Sequence, residues 1–254
     1  RFNKRKMKNI EVVWENEEAL VINKPAGMVV NRAESVKGET IQDWAEKQDW
    51  WKKENSDEVF NNRSGIAHRL DKETSGCLLI AKNSQTLKEL MSQFKKREIE
   101  KEYVTLVHGW IEPEEGRVKL PLARSRVDRK KQRVRYDGKV ADTIWKRTET
   151  FEGLNKEGWQ GKEPWGSKLS LVRIQLMTGR MHQIRVHMSH LGYPIFADEK
   201  YLNREQWKKD SLVLRRQFLH AEKIGFKVKG EKFEVIAPLN KELKECVDLL
   251  KKEL

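Results

Sequence analysis

Residues 65–81 read Gly65-Ile66-Ala67-His68-Arg69-Leu70-Asp71-Lys72-Glu73-Thr74-Ser75-Gly76-Cys77-Leu78-Leu79-Ile80-Ala81. The first twelve place the Asp71 carboxylate, the bases Arg69 and Lys72, the His68 imidazole and the hydroxyls of Thr74 and Ser75 between two glycines. The last five form a short apolar run that reads as a buried strand. Loops carried on a rigid scaffold are where catalytic and binding groups concentrate. On its own the segment is also ordinary turn chemistry, Asp-x-x-Thr followed by Ser-Gly, and without further signals the turn is the plainer reading.

Outward from this stretch, Ser84 reads as the N-cap of a helix with Leu87, Leu90, Met91 and Phe94 at helical spacing. Upstream, Val12–Trp14 and Leu20–Asn23 read as strands, Lys24-Pro25-Ala26-Gly27 as a turn, Ile41–Trp51 as one helix, and 52–62 as a polar loop. Downstream, Tyr103–Val107 alternates as a strand, with Tyr103, Thr105 and Val107 on one face. Val140–Trp145 and Leu169–Leu176 follow as strands, separated by a Gly-rich surface insertion over 153–166. Thr178–Leu191 reads as a helix with Met181, Ile184, Met188 and Leu191 in one stripe, and Asn240 as the cap of a last helix burying Leu243, Cys246, Val247, Leu250 and Leu254. With no repeat and no linker, the economical assignment is one α+β domain over 1–254, its first ten residues a basic tail.

The 254 residues carry 52 Lys and Arg against 39 Asp and Glu, a net charge of +13, which favours a polyanionic partner. Solvated lysine-rich faces are the bland alternative. No apolar run approaches the roughly 20 residues a bilayer crossing needs. Cys77 and Cys246 form no CxxC pair, which argues against a zinc ribbon or a disulfide framework and suits a reduced, cytoplasmic setting. No GxGxxG, Walker or GxSxG pattern is present, so dinucleotide, NTP-driven and serine-hydrolase chemistry lose support.

Three local features invite chemistry. His182, His187 and His190 suggest a metal, but their spacings of five and three match no HExxH site. At 100° per residue Arg185 would sit about 40° from Met181, bordering the buried stripe. A guanidinium there requires an anionic partner, or else it snorkels to water. Ten Lys or Arg fall within Arg117–Lys139, among them Lys130, Lys131 and Arg133. They read as phosphate contacts or as a solvated basic hairpin.

Taken together, these pieces resemble the RluA-type pseudouridine synthases. Leu20–Met28, His68-Arg69-Leu70-Asp71 with Thr74-Ser75-Gly76, Lys101–Gly109, Thr178-Gly179-Arg180 with His182–His187, Gly192–Ile195 to Asp198 and Tyr201, and Leu219-His220-Ala221 match the family's blocks in order. The resemblance implies a bent, mostly antiparallel mixed sheet flanked by helices, and isomerisation of uridine to pseudouridine in structured RNA. It makes Asp71 the catalytic aspartate, pairs Arg185 with it, stacks Tyr103 on the target uracil, and sends Arg69 into the RNA beside the vacated base position. Attack on the base, attack on the sugar and removal of a ribose proton all remain open to Asp71. The isomerisation adds and removes nothing, so no cofactor or metal is expected. The expected substrate is ribosomal RNA, with transfer RNA the second choice, and the expected state is a monomer. An S4-like RNA-binding domain is not recognisable in the first ten residues. The rival from another class is a non-catalytic RNA-binding pseudoenzyme, disfavoured because Asp71, Tyr103 and Arg185 are all present.

Overall fold

The computed structural model describes residues 10–34, 36–53, 57–152 and 168–251. Although the sequence shows no linker and reads as one domain, the chain divides into two compact units. The first takes residues up to 98 together with 224–238, and the second takes 99–223 together with 239 onward. The insertion over 153–166, the tail over 1–9 and Leu254 lie outside the described residues.

In the first unit, β1 (Glu11–Glu15), β2 (Ala19–Lys24) and β3 (Ser75–Ala81) run side by side, each antiparallel to the next. All seven residues of β3 are buried, as its apolar run requires. Between β2 and β3 come α1 (Ile41–Ala45), α2 (Asp49–Lys53) and α3 (Glu58–Arg63), and α4 (Ser84–Lys96) follows β3.

The helix expected over Ile41–Trp51 is therefore two helices. The Thr40–Asp43 capping box starts α1. It stops because the Gln48 side-chain amide donates to the Trp44 carbonyl (3.0 Å), while the Gln48 backbone N–H goes to Ala45 (3.1 Å). The polar loop expected over 52–62 contains α3, whose N-cap Asp57 accepts from the Phe60 N–H at 3.0 Å. Helix α4 is capped by Asn83 rather than Ser84, since the Asn83 side-chain oxygen accepts from the Thr86 N–H at 2.8 Å.

The second unit is built on β4 (Glu100–His108), β5 (Glu115–Arg124), β6 (Gln132–Val134), β7 (Lys139–Glu152) and β8 (Lys168–Leu176), in the order β4-β8-β7-β5-β6. Every one of these pairings is antiparallel. Helices α5 (Gln183–His190) and α6 (Arg204–Asp210) follow β8. Then comes β9 (Leu219–Val228), whose first half belongs to this unit and second half to the other, paired there with β10 (Glu231–Ile236). The last helix is α7 (Lys241–Lys251).

Strand β4 separates two environments, as its alternation dictates. Val104 and Leu106 join Phe151, Phe196, Phe218 and the α7 residues Leu243, Cys246, Val247 and Leu250 in one core, while Tyr103, Thr105 and Val107 alternate away from them. Both cysteines are free and buried, and burial pushes the Cys246 thiol up to about 12. Asn240 precedes α7 as expected, and its backbone carbonyl accepts from Lys244 (3.1 Å), but its side-chain oxygen accepts from Arg216 (3.0 Å).

Candidate active site

Asp71 sits partly exposed on the turn that delivers the chain into β3, and the Thr74 N–H closes that turn onto the Asp71 carbonyl at 3.1 Å. The register of β2 against β3 places Lys24 opposite Gly76, beside this turn. Lys24 is fully buried, and its ammonium donates to the carbonyls of Pro25 (2.8 Å), Met28 (2.8 Å) and Lys72 (3.0 Å). The Gly27 N–H adds a second donor to the Lys72 carbonyl at 2.9 Å. Two of the ammonium's diverging donors thus close the Lys24–Met28 turn on itself, and the third, with the Gly27 N–H, ties that turn to the carbonyl of Lys72, the residue after Asp71.

His68 braces the same loop from its other end. Its Nε2 accepts from the Leu79 N–H of β3 at 2.9 Å, and its ring stacks on Phe94 of α4 with centroids 4.7 Å apart. Arg69 is exposed between the half-buried His68 and the buried Leu70. The loop therefore presents Asp71 and Arg69 while its backbone is held from two directions. The loop is legible in the sequence but the lysine clamp is not, because Lys24 lies 48 residues before its partner.

In the second unit, Tyr103 stands on β4 opposite Ile174 and is 8% exposed. Arg185 is only 4% exposed, on a helix that buries every residue from Gln183 to Met188. The helix expected from Thr178 begins at Gln183 instead. Thr178 donates through its hydroxyl to Gln183 Oε1 (2.7 Å), and the Arg180 N–H binds the same oxygen (2.9 Å), which folds Thr178–Arg180 into a turn. His182 then takes a left-handed φ of 55° at the N-cap. Met181 consequently lies outside the helix and is exposed, so the stripe argument for Arg185 does not hold although its burial does.

The anionic partner that burial demands is Asp198, fully buried, whose two oxygens accept from Arg185 Nε and Nη2 at 2.7 Å each. Asp198 lies within one of the family-like motifs, but nothing in its spacing singles it out as this partner. Its position depends on Ala197, which holds a φ of 59° while its N–H donates to the buried Asp210 carboxylate at 2.8 Å. That carboxylate also meets His108 Nε2 of β4 at 2.8 Å, and Val107 of β4 bridges Ile195. On the other side of Arg185 lies Tyr201, with the ring centroid 5.2 Å from the guanidinium carbon. The Tyr201 hydroxyl is 2.9 Å from His182 Nδ1 and accepts from the Gln132 N–H at 2.9 Å.

The three histidines are dispersed. His182 goes to Tyr201, His187 accepts from the Thr143 hydroxyl (2.8 Å) and donates to the Leu120 carbonyl (3.2 Å), and His190 is exposed at the end of α5. Burial depresses the His187 pKa, keeping the ring neutral between β5 and β7. Lys130, Lys131 and Arg133 lie at the β5–β6 hairpin, whose tip is closed by Ser125 and Asp128.

Comparison with known proteins agrees with this architecture. A family model described as RNA pseudouridylate synthase matches residues 18–190, and the chain belongs to that family, in its RluA-type branch. It is an RNA pseudouridine synthase, an isomerase. It is 34% identical over 250 residues to an uncharacterised RNA pseudouridine synthase of Bacillus subtilis, covering 96% of this chain and 74% of that one. It is 32% identical to the ribosomal large subunit pseudouridine synthase D of Xanthomonas campestris (96% and 70% covered). With synthase C of Salmonella typhi it shares 30% (94% and 70% covered). Among solved structures, human RNA pseudouridylate synthase domain containing 1 superposes with a TM-score of 0.68 at 22% identity, covering 96% of this chain and 95% of that one. That likeness shows the fold, a mixed, mostly antiparallel sheet with flanking helices. No described helix is long and apolar enough to cross a membrane.

Proposed function

We propose that the protein isomerises uridines in ribosomal RNA, with Asp71 as the catalytic carboxylate. The observation that carries this reading is the clamped turn: a partly exposed aspartate follows a histidine braced on β3 and precedes a peptide held by Lys24 and Gly27. Such preorganisation is what a reacting carboxylate requires. The choice of ribosomal RNA is supported by the two relatives named for the large ribosomal subunit.

In this reading the bond between N1 of uracil and C1′ of ribose breaks, the uracil turns, and C5 bonds to C1′. The C5 hydrogen leaves as a proton and N1, left with the electron pair of the broken glycosidic bond, takes one up, so the composition is unchanged. Arg185, already oriented by Asp198, pairs with Asp71 in this proposal. Tyr103 offers its ring face to the uracil. Extrusion of a base from a helix costs a few kcal/mol, offset by Arg69 entering the stack and by phosphate contacts from Lys130, Lys131 and Arg133. The enzyme works as a monomer in the cytoplasm.

The test is release of tritium from C5-labelled uridine in large-subunit, small-subunit and transfer RNA. Wild type is expected to release it from large-subunit RNA. Asp71→Asn should lose activity by at least about 10⁴-fold while melting at the wild-type temperature. Release from transfer RNA alone would overturn the substrate, and an active, folded Asp71→Asn would overturn the mechanism.

A further inference from the structure

The β5–β6 hairpin and the segment after α5 enclose a groove of about 460 Å³, within the roughly 300–1,000 Å³ range of small-ligand sites. Its cations are Lys131, Arg133 and Lys200, joined at the rim by the exposed His190. No carboxylate is among the described residues that line it, and none of the three cations pairs with a described carboxylate. Its apolar wall is Val134, Val186 and Tyr201, packed with Leu122 and Ala141 beneath.

We propose that this groove is a nucleotide subsite for the substrate RNA, receiving the phosphodiester and base of a residue other than the isomerised uridine. The inference rests on the RNA substrate given above. Three cations with no lining carboxylate suit a phosphodiester, and an apolar and aromatic wall suits an unstacked nucleobase. The neighbouring groove on the same hairpin makes the contrast. It is lined by Arg126, Arg133, Arg135 and Asp137, and there Asp137 pairs with both Arg135 and Arg126, cancelling much of the charge.

The subsite is also wired to the candidate catalytic arginine. Tyr201 forms part of its wall, holds the hairpin through the Gln132 N–H, and lies with its ring beneath Arg185. A nucleotide seated in the groove therefore touches the ring on which the Arg185 guanidinium rests. Lys130, one residue from Lys131, is not among the lining residues, which separates this subsite from a merely basic hairpin.

The experiment uses the full chain in the Asp71→Asn background, with transcripts tiling large-subunit RNA titrated at several KCl concentrations. The triple variant Lys131→Gln, Arg133→Gln, Lys200→Gln is compared with a charge-matched control, Lys208→Gln, Lys241→Gln, Lys244→Gln, on α6 and α7. The groove variant should lower the slope of log affinity against log salt by about 0.7, the value for the one single-strand phosphate the groove receives, and the control should change it by less than half as much. With Asp71 restored, the groove variant should raise KM for the RNA and leave kcat within about two-fold, the signature of lost uniform binding. Equal slopes for groove variant and control, with wild type active, would overturn the subsite alone. Slope loss in the groove variant with no tritium release by wild type from any RNA would support the subsite and overturn the function proposed above.

Discussion

Lys24 in the first unit and Arg185 in the second are both buried cations on segments that carry the candidate site, and they are satisfied in different ways. The Lys24 ammonium binds three backbone carbonyls, so what it organises is main chain: the path of the turn through Lys72. Arg185 binds the two oxygens of one buried carboxylate, so what is organised is a side chain, the plane and direction of a guanidinium. The difference follows from chemistry. An ammonium is a point charge with three diverging donors, whereas a guanidinium is a planar fork matched to a carboxylate. The protein uses the first to shape a loop and the second to aim a charge.

Breaking either arrangement should reveal the asymmetry. Asp198→Ala leaves the Arg185 charge buried without its carboxylate, and by analogy with other severed buried pairs should cost about 3–5 kcal/mol in urea unfolding. A cost under about 1 kcal/mol would show that Arg185 does not depend on Asp198. Lys24→Met removes the charge together with its donors and leaves only carbonyl acceptors, so the loss should be smaller, about 2–3 kcal/mol. Its larger consequence should be kinetic. A shift of about 1 Å in the turn carrying Asp71 lowers kcat by about 10²-fold at nearly unchanged KM. If Lys24→Met were as destabilising as Asp198→Ala, the contrast between shaping a loop and aiming a charge would fail.

The smallest effect sharpens the picture around Arg185. His187 is on the same helix and its folded pKa lies below its ordinary value of 6.5 because the ring is buried. The folded state therefore binds fewer protons than the unfolded state. The stability this neutral ring contributes is fully present above pH 6.5 and is lost as pH falls from there toward the depressed folded value. Urea midpoints for wild type should decline gradually between pH 7 and 5, and His187→Gln should flatten part of that decline.

β2, β3, β4, β8 and α4 are legible because short-range periodicity and burial coincide there, whereas β5, β6, α3 and α6 are not read from local pattern. The two overextended helices fall where a side chain competes with the helix backbone. Gln48 takes a carbonyl that the helix would otherwise use, and Gln183 ties up the Thr178–Arg180 turn, so periodicity ran on through residues that are not helical. Of the proposed site, Asp71, Tyr103 and Arg185 are singled out by ordered motifs, and buried Arg185 meets an anion, Asp198. Asp198, Tyr201 and Lys24 were quoted in those motifs without a structural role, because each acts through a partner that local spacing does not reveal.

The sequence by itself determined the charge of the partner, the identity of the family and the residues that form its motifs, since composition and ordered local patterns are written along one dimension. Only the tertiary structure decided which carboxylate holds Arg185, which three carbonyls hold Lys24, and which of the hairpin's cations face a groove without a lining acid. Those are decided between residues as far apart in the chain as Lys24 and Lys72, 48 positions, by strand register and by the packing of one element on another. Burial then makes each pairing obligatory, because a charge or carbonyl withdrawn from water must find its partner inside the fold.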